Sequence, residues 1–146
     1  MLSASNPEVD KVMQQLGTPP NCARFISGQP YDYVPGKSLT MIFPVQEEYL
    51  NPGQTMQGGI ITAAFDNVFG PLCWLATGTP ATAMVSINTT YHRPIFAGDE
   101  LKVIASVMYK GKTAIQLSAE AFNSQDKLIA AATCTYIYVN RAPVKE

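Results

Sequence analysis

One carboxylate lies in the most apolar stretch of the chain. Asp66 belongs to the run from residue 60 to 76, where nearly every neighbour is apolar. An unpaired carboxylate is costly to bury. Its side chain is therefore either satisfied by local hydrogen bonds, open to a solvated crevice, or placed to act as a general base or nucleophile. The residues alone leave these alternatives open.

The same run is preceded by Gln57, Gly58 and Gly59. If the run is a helix, its first backbone N–H groups are unpaired and its dipole is positive there, which suits developing negative charge. Glycine also lets a substrate carbonyl approach closely. An ordinary turn into a helix uses glycine too, but Asp66 follows about two turns after Gly59, near the same face.

Patterns of apolar residues predict the elements that hold these positions. Asn6 and Pro7, followed by an apolar stripe to Leu16, predict a short N-terminal helix. Alternation at 38–45 predicts a strand, and a weaker pattern predicts a short strand at 22–26. After the long run, alternating segments separated by Gly, Asn and Asp predict four further strands, at 81–93, 100–109, 113–122 and 128–139.

The run from 60 to 76 is apolar on nearly every side, which predicts a helix wrapped by other structure. Gly70-Pro71 is expected to kink it or to end its regular part early. One buried helix followed by an antiparallel meander predicts an α+β domain whose sheet curls around the helix. The 146 residues fit a single domain, 1–146, with its core at about 39–139.

Composition narrows the classes of function. The 10 Lys plus Arg nearly balance the 11 Asp plus Glu, so no basic field is available for a nucleic-acid partner. The first ten residues lack signal-peptide features, which makes the cytoplasm the expected location. Asp66 and Pro71 interrupt the only stretch of membrane-spanning length, which favours a buried helix and no membrane partner. The three scattered cysteines predict reduced, mostly buried thiols and no metal site.

Several short motifs together resemble the hotdog-fold thioesterases of the phenylacetic-acid-degradation type, also called PaaI-like. They are, in order, Asn51, Gln57-Gly58-Gly59, Asp66, Tyr91-His92-Arg93-Pro94, Gly98-Asp99 and Gly111-Lys112. The likeness covers about residues 39–139 and rests on the order and spacing of the motifs. It implies a hotdog fold, an acyl-coenzyme A substrate, and no cofactor other than the coenzyme A of that substrate.

The resemblance also implies roles for individual residues. The backbone N–H of Gly58 would polarise the thioester carbonyl, Asp66 would activate water or attack directly, and Asn51 would help to position the nucleophile. A homodimer or homotetramer is implied, with the site shared across a dimer interface. Where the family usually has histidine, Gln57 can donate a hydrogen bond but cannot titrate near neutrality. Met84 stands where family members often have Ser or Thr, so a supporting hydroxyl is missing.

Other residues are candidates for substrate binding. Gly59 adjoins the predicted carbonyl donor, and Phe65 and Phe69 have helical spacing suited to the core or to the wall of an acyl pocket. Basic residues that follow or flank predicted strands are candidates for contact with the phosphates of coenzyme A. They are Arg93, Lys110 and Lys112. Exposed basic residues near turns more often serve only to keep a protein soluble.

Two other functions remain open. The first is a non-catalytic hotdog protein that binds acyl-coenzyme A or an acyl carrier, with turnover lost through the changes at Gln57 and Met84. The second is a purely structural protein. A hotdog dehydratase is disfavoured because no histidine precedes the helix, and His92 is expected to be structural within a strand. The acyl group and the choice between dimer and tetramer stay open.

Overall fold

The structure is a computed structural model, and it describes residues 6–139. Residues 1–5, which belong to the segment examined for a signal peptide, lie outside the described residues, as do residues 140–146. The helices are α1 (Pro7–Leu16), α2 (Asn21–Ile26) and α3 (Gly58–Thr77), with a 3-10 turn at Glu47–Tyr49. The strands are β1 (Gln29–Val34), β2 (Ser38–Pro44), β3 (Thr82–Tyr91), β4 (Glu100–Lys110), β5 (Ala114–Phe122) and β6 (Leu128–Tyr138).

The strands form one sheet in the order β1-β2-β4-β5-β6-β3, and every neighbouring pair is antiparallel. The long crossover from β2 to β3 places α3 against the sheet, where it contacts strands β2 to β6. This arrangement confirms the predicted α+β hotdog architecture. Strand β3 has one partner within the described chain, so its other edge is open.

Among the described residues, helix α3 is covered on one side only. Its buried residues follow helical spacing and face the sheet: Ile61, Ala64, Phe65, Val68, Phe69, Leu72 and Cys73. The opposite side is apolar but half-buried at Ile60, Ala63 and Trp74. By length and composition α3 would also suit a membrane span, yet its buried side packs on the sheet. The predicted wrapping on every side is therefore incomplete within one protomer.

The N-terminal helix is confirmed. Asn6 caps α1, its side-chain oxygen accepting a hydrogen bond from the N–H of Glu8 at 3.0 Å, and Val9 and Val12 are buried. The strand predicted at 22–26 is wrong, because this segment is α2. The physical reason is local: Pro20 is the N-cap of the helix, and Ser27 ends it with a left-handed backbone. Ile26 is the buried residue of the segment, so there is no alternation of buried and exposed residues to favour a strand.

The later strands match the predicted meander within a few residues at each end. Two details differ. Helix α3 continues past Pro71 to Thr77, where Gly78 ends it in the left-handed conformation. The early end expected at Gly70-Pro71 is therefore wrong, and the alternative, a kink, stays a prediction. His92 lies just beyond β3 and is exposed, so its expected place within a strand is wrong.

Candidate active site

The start of α3 carries two backbone donors, the N–H groups of Gly58 and Gly59. Gln57 occupies the N-cap position, and its carbonyl accepts hydrogen bonds from the N–H groups of Ile60 and Ile61, both at 3.0 Å. Within residues 6–139 the N–H groups of Gly58 and Gly59 have no acceptor. The Gln57 side chain does not cap the helix. These two donors can therefore bind an oxygen atom that carries negative charge.

Tyr91 covers this helix start. Its hydroxyl donates to the carbonyl of Gly58 at 2.7 Å and lies 2.7 Å from the hydroxyl oxygen of Thr62. Thr62 in turn lies 2.8 Å from the hydroxyl oxygen of Thr89. The last residues of β3 are thereby joined to the first turn of α3. Glycine at position 58 allows this approach, since a Cβ there would lie 3.0 Å from the Tyr91 ring.

Asp66 lies on the open side of α3. Its side chain reaches solvent, but the helix and its apolar surroundings partly desolvate the carboxylate, and this desolvation raises its pKa above the ordinary value. Among residues 6–139 it has no hydrogen bond and no ion pair. The structure thus places an unneutralised carboxylate with raised basicity next to apolar surface, as a general base requires.

A phenol faces the same stretch of helix. Tyr136 of β6 is buried, and a Cβ on Gly70 would lie 3.7 Å from its hydroxyl oxygen. Burial raises the pKa of Tyr136, and the negative charge of Asp66 raises it further. Met84 is opposite Tyr136 in the β3–β6 ladder and is half-buried. A hydroxyl is therefore present beside Met84, although residue 84 itself supplies none.

Asn51 belongs to a closed loop at the same end of α3 as Gly58. Its side-chain oxygen accepts from the N–H of Thr55 at 3.1 Å, and its side-chain nitrogen donates to the hydroxyl of Thr55 at 3.1 Å. The loop returns to the helix through a hydrogen bond from the N–H of Gln57 to the carbonyl of Tyr49 at 2.8 Å. Asn51 makes no hydrogen bond with Asp66 in the part of the chain that the structure describes.

The distance along the helix separates the two halves of the predicted site. With a rise of about 1.5 Å per residue, Asp66 lies about 12 Å from Gly58 along the axis of α3. One protomer therefore brings together Asn51, Gln57, Gly58 and Gly59, and holds Asp66 apart from them.

The basic candidates are also divided between the two ends of α3. Arg93 is exposed and follows Tyr91, at the N-terminal end of the helix. The side chain of Lys110 donates to the carbonyl of Ala76 at 2.9 Å, so it caps the C-terminal end. Lys112 is exposed in the turn after Lys110. Because a helix of this length spans about 30 Å, Arg93 and Lys112 of one protomer cannot contact the same phosphate.

Phe65 and Phe69 do not line an open pocket. Each is fully buried, and their rings stack with centroids 6.2 Å apart. Of the two roles predicted for them, their burial supports the core role, and neither side chain reaches the surface of this protomer. Their contact with a substrate stays a prediction. They hold α3 against the sheet and so fix the direction in which Asp66 projects.

Sequence reasoning missed Tyr91, Thr62 and Tyr136. Tyr91 was noted only as part of a motif, although its position two residues after Thr89 on one face of a strand was a usable signal. Thr62 precedes Asp66 by one helical turn and shares its side of the helix. Neither pattern identifies the partner element, which only the fold supplies.

Comparison with known proteins agrees with this fold. The thioesterase superfamily matches residues 53–130, just over half of the chain. Acyl-coenzyme A thioesterase 13 of Homo sapiens is 33% identical over 99 residues, which are 66% of this chain and 69% of that protein. The E. coli PaaI protein from the phenylacetic acid degradation operon has a TM-score of 0.79 at 22% identity, covering 91% of this chain and 92% of its own. A phenylacetic acid degradation-related protein from Ralstonia eutropha has a TM-score of 0.77 at 25% identity, covering 88% and 98%.

The chain therefore belongs to the thioesterase superfamily, as a hotdog-fold thioester hydrolase of the PaaI-like type. The family and the reaction class implied by the motifs are confirmed.

Proposed function

We propose that the protein hydrolyses an acyl-coenzyme A thioester to the free acid and coenzyme A. The observation that carries this proposal is the pair of N–H groups at Gly58 and Gly59, which no described residue accepts from, on the same helix as the partly desolvated carboxylate of Asp66. The name of the human relative, acyl-coenzyme A thioesterase 13, supports the substrate class. The proposed chemistry uses no metal and no bound cofactor, since coenzyme A enters as part of the substrate.

In the proposed reaction the thioester oxygen binds at the start of α3. The N–H groups of Gly58 and Gly59 stabilise the oxyanion, and a well-placed donor of this kind is worth about 3–4 kcal/mol. The exposed Gln57 amide supplies a further donor. Asp66 takes a proton from water, the hydroxide adds to the carbonyl carbon, and the carbon–sulfur bond breaks to release the thiolate of coenzyme A. The raised pKa of Asp66 suits it to this base role.

The separation within one protomer requires a second copy. The base contacts the attacking water and the oxyanion donor contacts the carbonyl oxygen, each at about 3 Å, so both lie close to one small carbonyl group. A separation of about 12 Å along α3 does not allow this. We therefore propose a homodimer in which Gly58 of one protomer and Asp66 of its partner face the same thioester. Asn51, in the loop beside Gly58, then lies near the partner's carboxylate and helps to position the attacking water.

The open edge of β3 supplies the surface for this dimer. An exposed strand edge presents unpaired N–H and C=O groups that pair readily with another strand. Strand β3 runs antiparallel to α3, because Thr89 contacts Thr62 while Thr82 lies near Cys73, later in the helix. Antiparallel pairing of two β3 strands therefore brings the start of one α3 towards the middle of the other. It also covers the half-buried apolar side of both helices.

Arg93 is the proposed phosphate contact. It lies at the end of α3 where Gly58 would hold the thioester carbonyl, and it is exposed. Lys112 lies at the far end of the same helix and contributes to that site only from another protomer.

Thiol release from a panel of acyl-coenzyme A thioesters, measured for wild type and Asp66→Asn, tests the proposal. We expect turnover of at least one thioester by wild type and its loss in a folded Asp66→Asn protein. Thermal stabilisation by coenzyme A without turnover would favour the non-catalytic binding function. Light scattering provides the oligomeric state, and a monomer would contradict the shared site.

A further inference from the structure

Tyr91 donates a hydrogen bond to a peptide group whose own N–H has no acceptor among the described residues. The carbonyl of Gly58 and the N–H of Gly59 belong to the same peptide unit. Tyr91 donates to that carbonyl at 2.7 Å, while the N–H of Gly59 has no acceptor within the described residues. A hydrogen bond to the carbonyl of a peptide polarises the unit and strengthens its N–H as a donor. Tyr91 is thus linked to the proposed oxyanion donor through a single peptide group.

The position of the Tyr91 hydroxyl is fixed by two elements. It lies 2.7 Å from the hydroxyl oxygen of Thr62 on α3, which itself lies 2.8 Å from that of Thr89 on β3. The ring packs over Gly58, where a Cβ would lie only 3.0 Å from ring carbon Cζ. Packing of the ring on Gly58 and the hydrogen bonds of the hydroxyl restrict the rotamers of Tyr91, although the residue is 49% exposed.

We propose that Tyr91 is a positioning residue for thioester hydrolysis, which orients and polarises the Gly58–Gly59 peptide so that the N–H of Gly59 meets the developing oxyanion. Thr62 acts through Tyr91 by holding its hydroxyl in place. The role rests on the proposed function, because it requires the thioester oxygen to bind at the start of α3.

The variant Tyr91→Phe separates the hydroxyl from the ring, because it keeps the packing over Gly58 and removes the hydrogen bond. We expect kcat to fall about tenfold, as for the loss of one hydrogen bond felt in the transition state. KM should stay within about twofold, since the ground-state carbonyl carries little charge. Thr62→Val should also lower kcat, because it removes the hydroxyl that holds the Tyr91 hydroxyl in place. The double variant should be no slower than Tyr91→Phe, because both changes act on one donor.

Tyr109→Phe is the matched control. Tyr109 is 64% exposed on β4, next to Lys110 at the opposite end of α3, so its hydroxyl is remote from Gly58. Wild-type kcat in Tyr91→Phe, an effect on KM alone, or an equal loss in Tyr109→Phe would overturn the positioning role. If Asp66→Asn is inactive while Tyr91→Phe is unaffected, only this inference fails. If both retain wild-type turnover, the role of Asp66 as the base fails as well. If wild type itself turns over none of the thioesters, the proposed function fails.

Discussion

The ring of Tyr91 lies so close to Gly58 that a Cβ added to this glycine would be 3.0 Å from ring carbon Cζ and 3.2 Å from the hydroxyl oxygen. Gly58→Ala should therefore displace Tyr91 and weaken its hydrogen bond to the Gly58 carbonyl. Because the displaced ring is at the surface, the expected result is at least about a tenfold loss of kcat with a small change in Tm. Steady-state kinetics and thermal unfolding measure the two effects.

Gly59→Ala is the control for folding in this experiment. A Cβ at position 59 would meet only the side chain of Gln57, whose oxygen would lie at 3.4 Å, close to an ordinary contact. A large and equal fall in Tm for both variants would contradict the specific role of the Tyr91 contact.

Asp66 should give the pH–rate profile an acidic limb. As a general base it must be deprotonated, and desolvation raises its pKa, so kcat/KM should rise with pH through a midpoint above the ordinary aspartate value. Asp66→Asn should lose about 100-fold or more in kcat and should lose this limb from any residual activity. A limb that persists unchanged in Asp66→Asn would assign the ionisation to another group.

The same carboxylate should reduce the stability of the folded protein at neutral pH. A raised folded-state pKa means that the folded chain binds the proton more tightly than the unfolded chain does. Stability should therefore decrease as pH rises from the unfolded pKa through the folded pKa of Asp66. Asp66→Asn should be more stable than wild type at pH 7, and this difference should disappear below the unfolded pKa. Urea unfolding of both proteins, at pH 7 and at a pH below the unfolded pKa, is the measurement. A lower stability of Asp66→Asn than of wild type at pH 7 would show that the carboxylate is paired.

Mixed dimers should test the shared site directly. An Asp66→Asn protomer paired with a Gly58→Ala protomer forms one site with both native residues and one site with neither. Random mixing of the two impaired variants should then give about a quarter of wild-type activity, which exceeds the activity of either variant alone, as expected for a two-fold symmetric interface. Co-expression with two different tags allows the mixed species to be purified. No recovery in a purified mixed dimer would place both residues in the same protomer's site.

The parts of the fold that depend on local patterns could be predicted from the sequence. Alternation along 38–45 and in the four later segments reflects which face of each strand is buried, and the structure confirms these strands. The segment at 22–26 was misassigned because its cap residues, Pro20 and Ser27, decided the conformation more strongly than its few apolar residues.

The site could be predicted only in part, because several of its contacts join residues that are far apart in the chain. Asp66 and Gly58 were singled out by residue type and spacing, whereas the role of Asn51 came only from the resemblance to the family. The bond between Tyr91 and Gly58 spans 33 residues, and that between Lys110 and Ala76 spans 34, so no local pattern shows either. The buried state of Phe65 and Phe69 was also undetermined, because a helix that is apolar on all sides does not reveal which side faces the sheet.

The pairing of β3 with β6 has a consequence for synthesis on the ribosome. Strand β3 and helix α3 emerge before β4, β5 and β6, yet β6 is the only partner of β3 in the described chain. At roughly 5–20 residues per second, the nascent chain exposes an unpaired strand and an apolar helix for several seconds. The last strand to leave the ribosome therefore completes the sheet. A chain truncated before β6 should be recognised by chaperones and proteases rather than accumulate as a smaller folded domain.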